Sequence, residues 1–257
     1  MTAPAYGELR RVSETASVLL ENNPSMMTLE GTNSWVLRAP DAPAAVVVDP
    51  GHRDLEHLER LAAAGAVELI LLTHHHPDHA EGAPWLAEQV GAPVRAFDAS
   101  LCLGAEPFAD GDVLTAGGLR FEVLHTPGHT DDSVSLHVAG QILTGDTILG
   151  RGTTVLHDLG DYLRSLRRLI GLPPGTPGLP GHGPELADLP ATARAYLSHR
   201  EQRLDQVRSA LGVLGADASP RQVVEVVYAD VDPSLWAPAE LSVQAQLDYL
   251  RSSEDAL

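Results

Sequence analysis

Between positions 73 and 79 the chain reads Thr73, His74, His75, His76, Pro77, Asp78 and His79. Four imidazoles and one carboxylate crowd six positions, and neutral imidazole with carboxylate is the donor chemistry of Zn2+ and similar divalent ions. In extended chain His74 and His76 face the same way and can hold one cation. Asp78 and His79 lie beyond Pro77, where the chain turns, and can address a neighbouring position. Three further candidate ligands stand in separate segments: His129 in Thr126-Pro-Gly-His-Thr130, Asp146 in Leu143-Thr-Gly-Asp-Thr147, and His182 in Leu179-Pro-Gly-His-Gly183. Glycine directly precedes each of the three, which lets the backbone take positive φ and lets loops crowd together. Asp49 sits in a similar strand-then-turn context. Each of these residues alone has an ordinary reading, a surface histidine in a Pro-Gly turn or a turn aspartate. Their occurrence together, in this order, makes a metal centre the expectation.

The elements that must position these residues follow from the apolar pattern. Short β-rich runs at 34–38, 45–49, 69–73, 119–125, 133–138 and 141–145 end where the chemistry-bearing residues begin. A polar loop at the end of such a run lies at the edge of a sheet. Helical spacing appears at 55–64, 83–90 and 159–170; in the last, Leu163, Leu166 and Ile170 share a face that Arg164, Arg167 and Arg168 leave free. Alternation of this kind predicts an α/β layer architecture. The Gly/Pro-dense stretch 171–184 reads as loops around one very short strand. Beyond it the pattern is helical: 186–214, a helix opened by Ser219-Pro220 that runs to Val227, and 239–250. The expected division is therefore a catalytic domain over 1–184 and a small helical domain over 185–257.

Composition narrows the classes. Cys102 is the only cysteine, so no internal disulfide forms and no cysteine-rich zinc site can be built. Cys102 lies away from every motif and reads as a core residue. The 17 basic residues are all arginine, which removes Schiff-base lysine chemistry, and the net charge of −18 disfavours nucleic acid as a partner. No apolar run reaches membrane-spanning length, and no apolar core follows Arg10 and Arg11 as a secretory signal would require. A cytoplasmic protein without a membrane role is expected.

The His-x-His-x-Asp-His run, with the later His, Asp and His in order, resembles the metallo-β-lactamase superfamily over about residues 18–184. The resemblance implies an αβ/βα four-layer sandwich. It implies that His74, His76 and His129 bind one divalent metal ion, that Asp78, His79 and His182 bind a second, and that Asp146 bridges them. It places Asp49 behind the ligands, steadying the His loop. Zinc is the first candidate metal, with Mn2+ and Fe also acceptable to such donors. The implied catalysis is attack by a metal-bridged hydroxide, with Asp78 and Asp146 as the catalytic carboxylates. The segments 23–33 and 145–155, Ser198-His-Arg-Glu-Gln202 and Ala239-Glu-Leu241 further resemble the lactamase-beta-like protein two family, which carries a winged-helix-like C-terminal domain and includes hydrolases and single-strand endoribonucleases. The pattern departs from that family at its end, where the expectation is that Leu257 falls before the β-hairpin wing. By the same resemblance Met26, Met27 and Thr32 line a pocket, a core role remaining open for the methionines.

Three functions follow as expectations. The first is hydrolysis of a small ester or thioester, favoured by the acidic surface. The second is an endoribonuclease acting on single strands, for which Arg151, Arg164, Arg167 and Arg168 are the natural phosphate contacts. The third is a non-catalytic metal-binding interaction protein, with Leu241, Leu247 and Leu250 as a candidate apolar stripe for a homodimer.

Overall fold

Val67–Leu71 is apolar at every position but one because the strand it forms is covered on both sides. Leu69 and Leu71 turn into one cluster of buried side chains, while Ile70 and the following Leu72 turn into another. The same alternation divides Val46 and Val48 from Ala45 and Val47 in the preceding strand. A computed structural model describes residues 5–254 of the chain. Positions 1–4 and 255–257, the outer ends of the two expected domains, lie outside the described residues.

Strands β1 (Arg10–Arg11), β2 (Ala16–Leu20), β3 (Asn33–Leu37), β4 (Ala45–Val48), β5 (Val67–Leu71) and β6 (Val94–Arg95) form one sheet in that order. Pairing is antiparallel from β1 to β4 and parallel from β4 to β6. Strands β7 (Val113–Ala116), β8 (Leu119–His125), β9 (Val134–Val138), β10 (Gln141–Gly145) and β11 (Gly178–Pro180) form the second, in the order β11-β10-β9-β8-β7, with only β10 and β11 parallel. Between the sheets Trp35, Leu37, Val46, Val48 and Leu71 meet Phe121, Val123, Val134, Leu136 and Leu143.

Helices cover the two outer faces, completing four layers. Over the first sheet lie α1 (Leu55–Ala63), capped by the Asp54 carboxylate on Glu56 N–H, and α3 (Ala83–Val90), closed by Gly91 in the left-handed region. Between them α2 (Pro77–Ala80) is a single turn, so the bend expected at Pro77 is the start of a helix, which that residue's fixed φ favours. Over the second sheet lies α4 (Leu159–Ile170), which buries Leu159, Tyr162, Leu163, Leu166 and Leu169. Helices α5 (Leu189–Leu214), α6 (Pro220–Val227) and α7 (Trp236–Glu254) follow. Their Val207, Val223, Val224, Val243, Leu247 and Leu250 join the α4 residues in one continuous core with Leu124 and Ile142 of the sheet.

That core corrects the proposed dimer stripe. Leu247 and Leu250 are buried within the chain and only Leu241 is exposed, so the three do not form a free apolar face. The strands β1, β2, β6 and β7 were not expected from sequence; β1 and β6 span two residues each, too short to show a period. No helix among the described residues is long and apolar enough to cross a membrane.

Candidate metal centre

The candidate ligands leave the C-terminal ends of neighbouring strands. His74 to His79 follow β5, His129 follows β8, Asp146 follows β10 and His182 follows β11, while Asp49 follows β4. The loops converge at the edge where both sheets end. There His74, His76 and His129 bring one ring nitrogen each within 4.8 Å of one another, as do the donor atoms of His74, His79 and Asp146, and those of Asp78, His79 and His182.

The approach depends on small residues. A Cβ at Gly181 would stand 2.5 Å from Asp146 Oδ1 and 2.7 Å from His79 Cε1, so the chain preceding His182 passes the cluster only as glycine. Gly128, at φ +130°, carries the turn before His129 over the backbone of Tyr162, which a Cβ would meet at 2.5 Å.

Hydrogen bonds fix which ring nitrogen faces inward. His79 Nδ1 donates to Asp49 Oδ2 (2.9 Å), His129 Nδ1 to the Val155 carbonyl (2.9 Å) and His182 Nδ1 to the Gly31 carbonyl (3.1 Å). Thr73 Oγ1 donates to Asp49 Oδ2 at 2.7 Å, which leaves its oxygen to accept from His74 Nδ1 at 3.0 Å. Each arrangement assigns the proton to Nδ1 and points the Nε2 lone pair at the cluster. His76 contributes Nδ1, 3.1 Å from His74 Nε2 and 2.9 Å from His129 Nε2. An outer partner that orients each imidazole is how proteins prepare histidine for a metal.

The carboxylates complete the set. Asp78 Oδ2 lies 3.2 Å from His182 Nε2 and 3.5 Å from His79 Nε2. Asp146 lies 3.3 Å from His182 Nε2, 3.5 Å from His79 Nε2 and 3.7 Å from His129 Nε2, and so reaches both halves of the cluster. Asp146 Oδ1 is buried and has no hydrogen-bond partner. An orphaned carboxylate oxygen among inward-facing imidazole lone pairs fits a cation.

The titration behaviour reports the same demand for positive charge. Burial lowers the pKa of His182, but the charge of Asp146 and hydrogen bonds to both carboxylates outweigh it and raise it to about 9. His79 shifts upward against complete burial, through the charges of Asp146 and Asp49 and hydrogen bonds to both. Burial raises the pKa of Asp78, yet His182 and His79 hold it at about 2. His76, by contrast, is lowered to about 4 by burial and by the neighbouring His129, which keeps it neutral as a ligand must be.

Around this centre the structure sorts the remaining sequence expectations. His75 turns away, its Nδ1 2.8 Å from Asp132. His125 stacks on Phe97 and reaches the Asp131 carbonyl, not a ligand. Arg164 and Arg168, on α4, are held by Asp161 and Asp110. Of the four arginines considered for phosphate, only Arg151 borders the cavity beside the centre, and it pairs with Glu30 at 2.5 Å. Met26 and Met27 line that cavity, whereas Thr32 is buried and bonded to Asn23.

The cavity, about 360 Å3, opens beside His129 and Asp146. Its other walls include Leu29, Leu149 and Val155, with His199, Arg200 and Arg203 from α5 and Tyr228, Val231 and Leu235 from the segment between α6 and α7. These last residues carry no signal by spacing to the metal motifs. The one pointer is Ser198-His-Arg-Glu-Gln202, whose helical spacing puts His199 and Arg203 on one face. Two of these walls also touch the centre indirectly. Arg200 donates to the Thr154 carbonyl, Thr154 Oγ1 donates to the Asp146 carbonyl, and the adjacent Val155 carbonyl orients His129.

Residues 27–182 match the family described as the metallo-beta-lactamase superfamily, and residues 219–254 match the beta-lactamase associated winged helix domain. The lactamase-like protein adaB of Aspergillus niger is 33% identical over 216 residues, covering 81% of this chain and 67% of that protein. The beta-lactamase-like protein 2 homolog of Drosophila melanogaster is 30% identical over 262 residues, covering 93% and 89%. A crystal structure of a beta-lactamase domain protein from Burkholderia ambifaria aligns with a TM-score of 0.81 at 23% identity, over 98% of this chain and 90% of that one.

Proposed function

This chain belongs to the metallo-beta-lactamase superfamily of hydrolases, and from that premise we propose that it cleaves a small ester or thioester at a dinuclear metal centre. Two divalent cations, zinc foremost, would be held by His74, His76 and His129 on one side and by Asp78, His79 and His182 on the other, with Asp146 reaching both. When bound, they supply Lewis acidity to the attacked carbonyl and bring the pKa of water toward about 7. Asp78, ionised well below neutral pH, accepts a hydrogen bond from the attacking water and aims it. Asp49 holds Thr73 and His79 in place through both of its oxygens.

The observation that carries the small-substrate reading is the cavity. A volume of about 360 Å3, bordered by His129 and Asp146 and walled mainly by apolar side chains, suits a small molecule seated beside the centre. The proposed division at 184/185 gives the helical segment a part in this, since α5 to α7 supply one wall. The test pairs a panel of acyl esters and thioesters with a fluorescent single-stranded RNA, using metal-quantified protein and Asp78→Ala as control. Thioester or ester turnover lost in the variant is the expected result. RNA cleavage lost in the variant, with no ester turned over, would overturn the proposal in favour of an endoribonuclease.

A further inference from the structure

Arg200 is the only arginine among the buried described residues, at 3% exposure. Its guanidinium donates to the Thr154 carbonyl and lies over the Tyr162 ring, but its Nε has no hydrogen-bond partner and it forms no ion pair among the described residues. His199 Nδ1, next along α5, is likewise buried without a partner. Arg203 lies one helical turn on; it bonds Gln206 and the Val227 carbonyl and packs over Tyr228, with no carboxylate partner among the described residues. All three line the cavity beside the centre. In a chain of net charge −18, two cations on one cavity wall lack a counter-charge among the described residues. A buried charge left unpaired is costly and is kept where a ligand supplies the partner.

We propose that His199, Arg200 and Arg203 form a subsite for a carboxylate carried by the substrate, so that the ester or thioester cleaved here has an acidic acyl or alcohol part. The inference rests on the small-ester reading above. The planar guanidinium fork matches a carboxylate. A singly charged carboxylate also sheds its water more easily than a phosphate dianion, and the Asp146 carboxylate on the same cavity opposes a higher negative charge. The apolar part of the substrate lies on Met27, Leu29, Val231 and Leu235, and the carboxylate end reaches α5.

Two readouts on the full chain test this. The first is calorimetric binding of glutarate against its neutral diamide, with inorganic phosphate as a third ligand. The second is kcat/KM for matched acyl thioesters that end in carboxylate or methyl. Arg203→Gln is the main variant because Arg203 is only partly buried; His199→Gln and Arg200→Gln accompany it, with melting temperatures measured throughout. Glutarate should bind and the diamide should not, and Arg203→Gln should weaken glutarate by about tenfold. The same variant should raise KM for the carboxylate thioester by a larger factor than for the methyl thioester. Equal binding of glutarate and diamide, tighter binding of phosphate than of glutarate, or an equal loss for both thioesters in Arg203→Gln would overturn the subsite. Glutarate binding with no turnover of any ester would keep the subsite and remove the hydrolytic reading instead.

Discussion

His79 Nδ1 stands 2.9 Å from Asp49 Oδ2, and both side chains are almost wholly out of solvent. That oxygen also accepts from Thr73 Oγ1, and Asp49 Oδ1 accepts from Thr73 N–H at 2.8 Å, so one carboxylate ties down both the start of the His loop and a candidate ligand within it. Asp49 does so at φ +53°, a region that asparagine tolerates. Asp49→Asn should therefore preserve the backbone while offering an amide N–H where two donors already point. His79 would lose its orienting acceptor. The expected result is metal affinity weaker by about 10–100-fold with the fold retained, read by chelator competition beside circular dichroism. Unchanged affinity would mean that Asp49 serves the fold alone.

A methyl group at Gly181 tests how tightly the loops must close. Its Cβ would intrude on Asp146 Oδ1 and His79 together, neither of which is the far end of a flexible chain. Gly181→Ala should cost about 1–3 kcal/mol by overpacking and bring bound metal below the wild-type stoichiometry. Gly212→Ala, in α5 with open space around it, should instead hold or raise stability by about 0.5–1 kcal/mol. Equal metal content in both variants would refute the argument.

The legibility of this site in the sequence follows from where its residues sit. The donors cluster in loops after apolar strands, and a glycine directly precedes His129, Asp146 and His182, so type and spacing suffice to bring these three and His74, His76, Asp78 and His79 into view. The α/β layering was readable because apolar runs such as β4 and β5, covered on both faces, alternate with helical spacing, whereas the four-layer arrangement came only from the family resemblance. The cavity wall was not. His199, Arg200 and Arg203 reach the cavity from a helix some 17 residues or more beyond His182 in the chain, and only the packing of α5 on α4 puts them there. The dimer stripe failed for the same reason, since a helical apolar face does not say whether it meets its own chain or another.

That packing gives a direct contrast on α7. Leu247 is 1% exposed inside the core shared with α4, and Leu241 is 61% exposed. Leu247→Ala should destabilise the chain by about 2–5 kcal/mol, and Leu241→Ala should stay within about 0.5 kcal/mol. Denaturant midpoints decide this. A comparable loss at both positions would return Leu241 to a buried interface.

Acid sensitivity should trace in part to His57. Its ring is buried on α1 beneath Ser34, whose Oγ donates to the Asp49 carbonyl and so accepts from His57 Nε2 at 2.8 Å. Burial first, with the Arg60 charge adding to it against Asp54, lowers its pKa to about 4. The folded value lies below the unfolded one near 6.5, so on acidification the unfolded chain takes up the proton first. The contribution is whole above pH 6.5 and is lost between pH 6.5 and about 4, amounting to about 3 kcal/mol. His57→Gln keeps a donor to Ser34 but cannot titrate. The stability difference between the two chelator-treated proteins should therefore shift by about that amount in favour of the variant from pH 7 to pH 4. A difference independent of pH would show that His57 does not remain neutral in the fold.

Metal binding itself should be coupled to protons. His182 titrates at about 9 and His79 is also shifted upward, because burial is outweighed by the carboxylates of Asp146, Asp78 and Asp49. A cation that takes the Nε2 lone pairs of these two rings must displace what they hold at neutral pH. The sign follows: lowering the pH strengthens the proton as competitor, and raising it frees the ligands until about pH 9. Zinc affinity measured by chelator competition should climb by about one log unit or more per pH unit between pH 6 and 8 and flatten above His182's titration. Calorimetry in two buffers of different ionisation enthalpy should show proton release on loading at pH 7. Affinity flat across that range, with no protons released, would mean that the His79 and His182 rings are already neutral and that the carboxylates around them do not govern the centre.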